Sequence, residues 1–185
     1  YVRTGTGGFP FSTAIRDIER VRQLASIVSK SCKVAAENAY LISVDEPILS
    51  VIVGRKPLFR YVERDIVEIY NDLKASCGER PTGTHICGRI SPLLAEILLR
   101  TDLDFLSHEF HDTPENFDSY DSGKLKESGK ILSVGCVSSR NPNVETVDEI
   151  LKTMMNSTEY GDDLIFTPDC GFKNLKANGP ERGYE

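Results

Sequence analysis

Residues 82–110 read TGTHICGRISPLLAEILLRTDLDFLSHEF, and this stretch decides the fold class. Two apolar runs of strand-forming residues, 82–87 and 103–110, enclose a segment with helical spacing at 91–100. Ser91 followed by Pro92 is typical of a helix N-cap and first turn. The stretch therefore predicts a strand, a helix and a second strand, in the order found in parallel sheets.

The same alternation continues on both sides of this stretch. Further strand-like runs lie at 1–6, 40–44, 131–137 and 164–167. Helical spacing recurs at 15–28, 58–73 and 144–155. Cys77-Gly78 is expected to end a helix, and the polar segment 111–130 is expected to hold only a short one. Continuous apolar strands separated by helices indicate an α/β fold, either a barrel or an open sheet.

Composition limits the classes of protein that this chain can represent. Its 185 residues, 39% of them hydrophobic and 27% charged, are typical of one globular domain. A net charge of -6 with scattered Lys and Arg argues against nucleic acid as a partner. No apolar run approaches the roughly 20 residues of a membrane span. We expect residues 1–185 to form a single domain that belongs to a longer chain, because the first residue is Tyr1.

Chemically reactive side chains gather where the predicted strands end. The four segments are Val-Asp-Glu-Pro at 44–47, His-Ile-Cys-Gly at 85–88, Ser-His-Glu-Phe at 107–110 and Pro-Asp-Cys-Gly at 168–171. Functional residues of parallel α/β folds collect at the carboxyl ends of the strands. His85 and Cys87 are two residues apart in a strand, so they point to one side and can chelate one ion.

Glu109 and Cys170 extend this pair to a candidate set of four metal ligands. One imidazole, two thiols and one carboxylate suit zinc. The alternative is structural, since a buried Cys or a His beside an apolar run is commonly a core residue. Cys136 competes as a ligand, whereas Cys32 and Cys77 receive no functional interpretation. Five cysteines, an odd number, favour a reducing compartment, and we expect the cytoplasm.

These motifs together resemble the zinc-bearing C-terminal catalytic domain of the cobalamin-independent methionine synthase family. The resemblance covers about residues 1–175 and is strongest to the short archaeal members. It implies a (β/α)8 TIM barrel, of which this chain shows a partial barrel with about six of eight βα units. Segment 2–8 would then be the third barrel strand and segment 164–170 the eighth.

The resemblance also implies a cofactor, its ligands and a reaction. Zinc would be held by His85, Cys87, Glu109 and Cys170. The chain would be a methyltransferase that moves a methyl group to the thiol of homocysteine and forms methionine. Asp45 would be the catalytic residue that holds the substrate amino group. Glu46 is a second candidate for substrate binding, although alternation along the strand turns it to the other face and favours a structural role equally.

The methyl donor is either a methylcorrinoid protein or methyltetrahydrofolate. Folate-using members carry a His in the loop after the seventh strand, where this chain reads CVSSR at 136–140. We therefore expect the corrinoid donor, with His108 as an alternative acid for the folate route. Two other functions stay open: methyl transfer from a methylcorrinoid protein to coenzyme M, and a non-catalytic zinc-binding remnant.

Overall fold

A computed structural model describes residues 16–172, which are built around a parallel sheet of five strands. The strands lie side by side in chain order: β1 Ile42–Ser43, β2 Thr82–Ile86, β3 Phe105–Glu109, β4 Ile131–Val137 and β5 Leu164–Pro168. Unlike a doubly wound sheet, this order contains no reversal, so the sheet curves as half of a barrel. The α/β class and the partial barrel are confirmed. The sixth predicted run, at 1–6, lies outside the described residues.

The first helix precedes β1, and the other helices fill the connections between the strands. The helices are α1 Ile18–Ala36, α2 Leu49–Ile52, α3 Glu63–Ser76, α4 Pro92–Leu99, α5 Ser122–Ser128 and α6 Val147–Asn156. Two short 3-10 turns, Pro114–Ser119 and Thr158–Tyr160, complete the connections. None of the helices between residues 16 and 172 is long and apolar enough to cross a membrane.

Local signals in the sequence explain where several helices begin and end. The Ser91 hydroxyl accepts a hydrogen bond of 3.1 Å from the Leu94 N–H, and Pro92 occupies the first helical position, as predicted. Helix α3 ends at Ser76, and Gly78 adopts a φ of +60° just beyond it.

The two faces of the sheet have different roles because alternate strand residues point to opposite sides. One face packs on the helices through fully buried side chains, which include Ile86, Leu106, Leu132 and Val134. The opposite face carries polar groups. The register places His85 beside Ser107, and Ser107 beside Ser133, in one row across the sheet. This row lies on the inner side of the half barrel.

Helix α1 was predicted from its helical spacing, and most of its apolar side is exposed. Cys32 is its one buried residue, whereas Leu24 and Val28 are each 40% exposed. The helix packs against α3 and β1, and the rest of its apolar side lines a cleft of about 900 Å³ between these elements. Apolar spacing therefore identified the helix correctly but did not identify what covers it.

Candidate metal centre

Three of the four predicted ligands converge beyond the carboxyl ends of β2 and β5. The ligand atoms of His85, Cys87 and Cys170 all lie within 4.8 Å of one another. The Cys87 Sγ is 3.3 Å from the His85 Nε2 and 3.1 Å from the Cys170 Sγ. Both cysteines are free thiols. The fold thus brings together side chains that lie 83 residues apart in the sequence.

The donor set of one imidazole and two thiols suits a tetrahedral zinc ion. With Zn–S bonds of about 2.3 Å, two tetrahedral sulfur ligands stand about 3.8 Å apart. The Cys87 and Cys170 sulfurs are closer than this, at 3.1 Å, so they would have to separate to hold the ion.

The His85 ring is oriented by its neighbour on β3. The His85 Nδ1 lies 3.0 Å from the Ser107 hydroxyl, which leaves Nε2 directed at the Cys87 sulfur. Burial lowers the pKa of His85, against the smaller opposing effects of the Asp45 and Glu109 carboxylates. The ring is therefore neutral near pH 7, as a metal ligand must be.

The Cys87 thiol, in contrast, is held in the protonated form by its surroundings. Burial and the neighbouring Cys170 raise the pKa of the Cys87 thiol to about 12. A divalent cation reverses this preference because coordination removes the thiol proton. Two adjacent, half-buried thiols that no lysine or arginine among residues 16–172 contacts are thus suited to a metal ion rather than to acid–base work.

Glu109 is not part of the cluster of three, but it lies on the same face of β3 as Ser107. Its side chain is 1% exposed. One carboxylate oxygen, Oε2, accepts hydrogen bonds from Arg140 at 2.7 Å and Thr113 at 3.1 Å. The other, Oε1, is buried and has no hydrogen-bond partner among the described residues. A buried oxygen left without a partner is costly, and a cation beside it would satisfy it.

Asp45 and Glu46 lie in the segment after β1, whose last residue is Ser43. Backbone hydrogen bonds to β2 continue along this segment: the Val44 N–H donates to the Gly83 carbonyl at 2.9 Å and the Glu46 N–H to the His85 carbonyl at 3.1 Å, which holds the segment beside the cluster. That Glu46 turns to the other face from Asp45 remains a prediction. Both carboxylates line the cleft of about 900 Å³, and Asp45 accepts a hydrogen bond from the Ser43 hydroxyl.

His108 cannot act as the alternative acid, which corrects that expectation. Its ring is completely buried on the helix-facing side of β3, with Nδ1 3.2 Å from the Ile86 carbonyl and Nε2 2.7 Å from the Tyr120 hydroxyl. Burial lowers the pKa of His108 to about 3, so the ring is neutral at physiological pH. Cys136 also lies outside the cluster, with its Sγ 3.6 Å from the Thr167 carbonyl oxygen.

Asp169 is a site residue that the sequence reasoning missed. Its carboxylate is fully buried and accepts the N–H groups of three consecutive residues after β3: Phe110 at 3.0 Å, His111 at 3.1 Å and Asp112 at 2.6 Å. Burial raises the pKa of Asp169 to about 6, and the three N–H groups oppose this effect. Asp169 directly precedes Cys170, and its three hydrogen bonds go to the residues that follow Glu109. These bonds therefore fix the position of the Cys170 thiol relative to Glu109. The sequence signal that could have identified Asp169 is its place directly before the candidate ligand Cys170, in the Pro-Asp-Cys-Gly segment.

Gly135 on β4 makes this contact sterically feasible. A Cβ atom at Gly135 would lie 2.3 Å from the Asp169 Oδ1 and 2.7 Å from the Asp169 Cα. Backbone that close cannot give way to a side chain, so only glycine fits at this position. The sequence shows a glycine at position 135, but the steric requirement for glycine becomes clear only when β5 is seen to pack beside β4.

The fold and the site define a class: an α/β-barrel domain with a candidate metal centre at the carboxyl ends of its strands. The sequence profile of the cobalamin-independent synthase catalytic domain matches residues 6–180. The chain belongs to this family.

Relatives support the same assignment, and a solved structure shares the fold. The methionine synthase of Pyrococcus abyssi is 33% identical over 164 residues, covering 84% of this chain and 44% of the relative. That of Methanocaldococcus jannaschii is 26% identical over 176 residues, covering 86% and 51%. A B12-independent methionine synthase from Shewanella sp. W3-18-1, in complex with selenomethionine, superimposes with a TM-score of 0.69 at 19% identity, over 86% of this chain and 50% of that one. The chain thus spans about half the length of these proteins.

Proposed function

We propose that this protein transfers a methyl group to the sulfur of homocysteine and forms methionine, using zinc held by His85, Cys87, Glu109 and Cys170. The observation that carries the proposal is the convergence of one imidazole and two thiols within 4.8 Å. The buried Oε1 of Glu109, which has no hydrogen-bond partner within residues 16–172, supports Glu109 as a fourth ligand. The names of the similar proteins favour homocysteine over coenzyme M as the acceptor.

The residues of the centre have separable roles. Zinc, when bound, supplies the positive charge that lowers the pKa of a thiol and keeps the substrate sulfur nucleophilic. His85 is held in the neutral, ligand-competent form, and Ser107 fixes the direction of its ring. Two thiolates and one carboxylate outweigh the charge of a divalent ion, so the centre remains electron-rich and does not quench the nucleophile.

Asp45 is assigned to the amino group of homocysteine. Its carboxylate is exposed, and its negative charge acts on both His85 and Cys87, which places it beside the cluster. The cleft of about 900 Å³ that it also lines lies between α1, α3 and β1, and none of the cluster residues lines that cleft. The residue after Asp45 is hydrogen-bonded to the backbone of His85. A carboxylate in this position can bind an ammonium group by a charge-assisted hydrogen bond. Glu46 lines the same cleft but already accepts the Ile48 N–H at 3.2 Å, so we assign it a supporting part in substrate binding.

The transfer forms a sulfur–carbon bond and breaks the bond between the methyl carbon and its donor. The bonding electron pair stays on the donor atom. A folate nitrogen that receives this pair needs a proton, whereas the cobalt of a corrinoid does not. The His108 ring cannot supply that proton, since it is buried and neutral. We therefore propose a methylcorrinoid donor.

We further propose that residues 1–185 act as a single domain in the cytoplasm. The two thiols of the centre must stay reduced to serve as ligands, and a reducing compartment preserves them.

The test offers the zinc-loaded protein homocysteine together with either methylcobalamin or methyltetrahydrofolate, and measures methionine. Methionine should form faster with methylcobalamin. Turnover with the folate at an equal or higher rate would contradict the donor assignment. If the protein binds zinc but forms no methionine with either donor, the alternative of a non-catalytic zinc-binding domain is favoured.

A further inference from the structure

Arg140 is the cationic side chain that contacts the buried carboxylate of Glu109. Its Nη2 donates to the Glu109 Oε2 at 2.7 Å, and the Thr113 hydroxyl donates to the same oxygen at 3.1 Å. The Arg140 side chain is 59% exposed, whereas that of Glu109 is 1% exposed. The guanidinium thus reaches inward from the surface to one oxygen of an otherwise enclosed carboxylate.

The backbone that carries Arg140 is fixed to the rest of the site. The Ser138 hydroxyl accepts the Arg140 N–H at 3.1 Å and donates to the Asp112 carboxylate at 2.8 Å. The Ser138 N–H donates to Glu145 at 2.8 Å, and Ser138 is only 3% exposed. The loop after β4 therefore presents the guanidinium from a defined position next to the loop after β3.

The two oxygens of Glu109 are consequently unequal. Oε2 has two donors, whereas Oε1 is buried and has none among the described residues. Metal-ligating carboxylates are commonly held in this way, with a hydrogen bond to the oxygen that does not bind the metal.

We propose that Arg140, assisted by Thr113, is a positioning residue that holds Glu109 by Oε2 and so presents Oε1 alone to the cluster of His85, Cys87 and Cys170. The inference rests on the proposed zinc site and adds to it the residue that sets how the carboxylate binds. Without Arg140 the Glu109 side chain can rotate, and its free oxygen is no longer directed at the ion.

The direction in which zinc affinity changes when Arg140 is replaced tests this proposal. A guanidinium close to a cation site repels the cation, so removal of its charge alone should strengthen metal binding. Removal of a positioning contact should weaken metal binding, typically by about 10- to 100-fold. The direction of the change therefore separates the two effects.

The experiment measures the affinity of the 185-residue chain for zinc by competition with a chelator, and records the absorption spectrum with cobalt in place of zinc. We expect Arg140→Ala to weaken zinc binding by about 10- to 100-fold, and Thr113→Val to weaken it less. The sulfur-to-cobalt charge-transfer bands should persist, because both thiolates remain, while the ligand-field bands change. Arg100→Ala is the matched control, since Arg100 also binds a carboxylate, Glu63 at 2.5 Å, and is 52% exposed.

A double variant shows whether Arg140 acts through Glu109. In a Glu109→Gln background, Arg140→Ala should cause no further loss of zinc affinity. An unchanged or higher affinity in the Arg140→Ala protein would overturn the inference while leaving the zinc site intact. A parent protein that binds no zinc or cobalt would overturn the zinc site and the inference together.

Discussion

Asp45 provides the sharpest test among single residues, because its proposed partner is the substrate and not the metal. We expect Asp45→Asn to weaken homocysteine binding by about 10- to 150-fold, which corresponds to the loss of about 1.5 to 3 kcal/mol from a hydrogen bond to a charged group. Zinc affinity should change little. Calorimetric titration of homocysteine into the zinc-loaded protein measures the first quantity, and chelator competition measures the second.

Glu46→Gln is the matched control for this substitution. Its carboxylate lines the same cleft but is engaged by the Ile48 N–H, so homocysteine binding should fall less than in Asp45→Asn. Equal homocysteine affinity in the parent and in Asp45→Asn would reassign Asp45 to a structural role.

The candidate metal ligands could be predicted from the sequence, whereas the residues that hold them in position could not. His85 and Cys87 lie two positions apart, so strand geometry alone places them on one side. Arg140 and Asp169 act across loops that the sequence does not show to be neighbours. His108 was misjudged for a related reason: it precedes Glu109 in the chain, yet the pleat turns it toward Tyr120 on the helix-facing side.

At the level of secondary structure elements, the close approach of β4 and β5 depends on Gly135. We expect Gly135→Ala to lower the free energy of unfolding by about 1 to 3 kcal/mol, since the new methyl group would overlap the backbone and carboxylate of Asp169. Denaturant unfolding monitored by circular dichroism measures the change. Gly54→Ala is the control, because a Cβ there meets no atom within 4 Å. Equal effects of the two substitutions would show that the sheet accommodates the methyl group.

The elements themselves were predicted with uneven accuracy, for local reasons. Strand β4 occupies Ile131–Val137 as expected, because a continuous apolar run marks a strand buried on both faces. Strand β1 was expected at 40–44 but covers only Ile42–Ser43, although backbone hydrogen bonds to β2 continue at the Val44 and Glu46 N–H groups. Helix α1 begins later than its apolar spacing indicated, where the Asp17 carboxylate accepts the Glu19 N–H, and it continues to Ala36.

For the whole molecule, metal binding should add to stability because its ligands link β2 to β5, two strands that are separated in the sheet by β3 and β4. Zinc at about 100 times its dissociation constant should raise the free energy of unfolding by about 2.7 kcal/mol if it binds only the folded state. Cys170→Ser should lower the zinc content and abolish most of this increase. Cys136→Ser is the control because it removes a thiol that lies outside the cluster. This variant should keep both the zinc content and the zinc-dependent stabilisation of the parent. Thermal unfolding with zinc and with a chelator measures the difference, and equal zinc-dependent stabilisation of both variants would remove Cys170 from the centre.

The simple order of the strands also has a consequence for how the protein is made. A ribosome delivers β2, β3, β4 and β5 in the order in which they lie in the sheet, so each new strand meets a finished neighbour. Cys87 and Cys170 are 83 residues apart, an interval of roughly 4 to 17 s at common rates of translation. During that interval the nascent chain holds an imidazole and a thiol without their second sulfur. If the proposed zinc site is correct, the full ligand set therefore exists only after β5 has been made and has docked on β4.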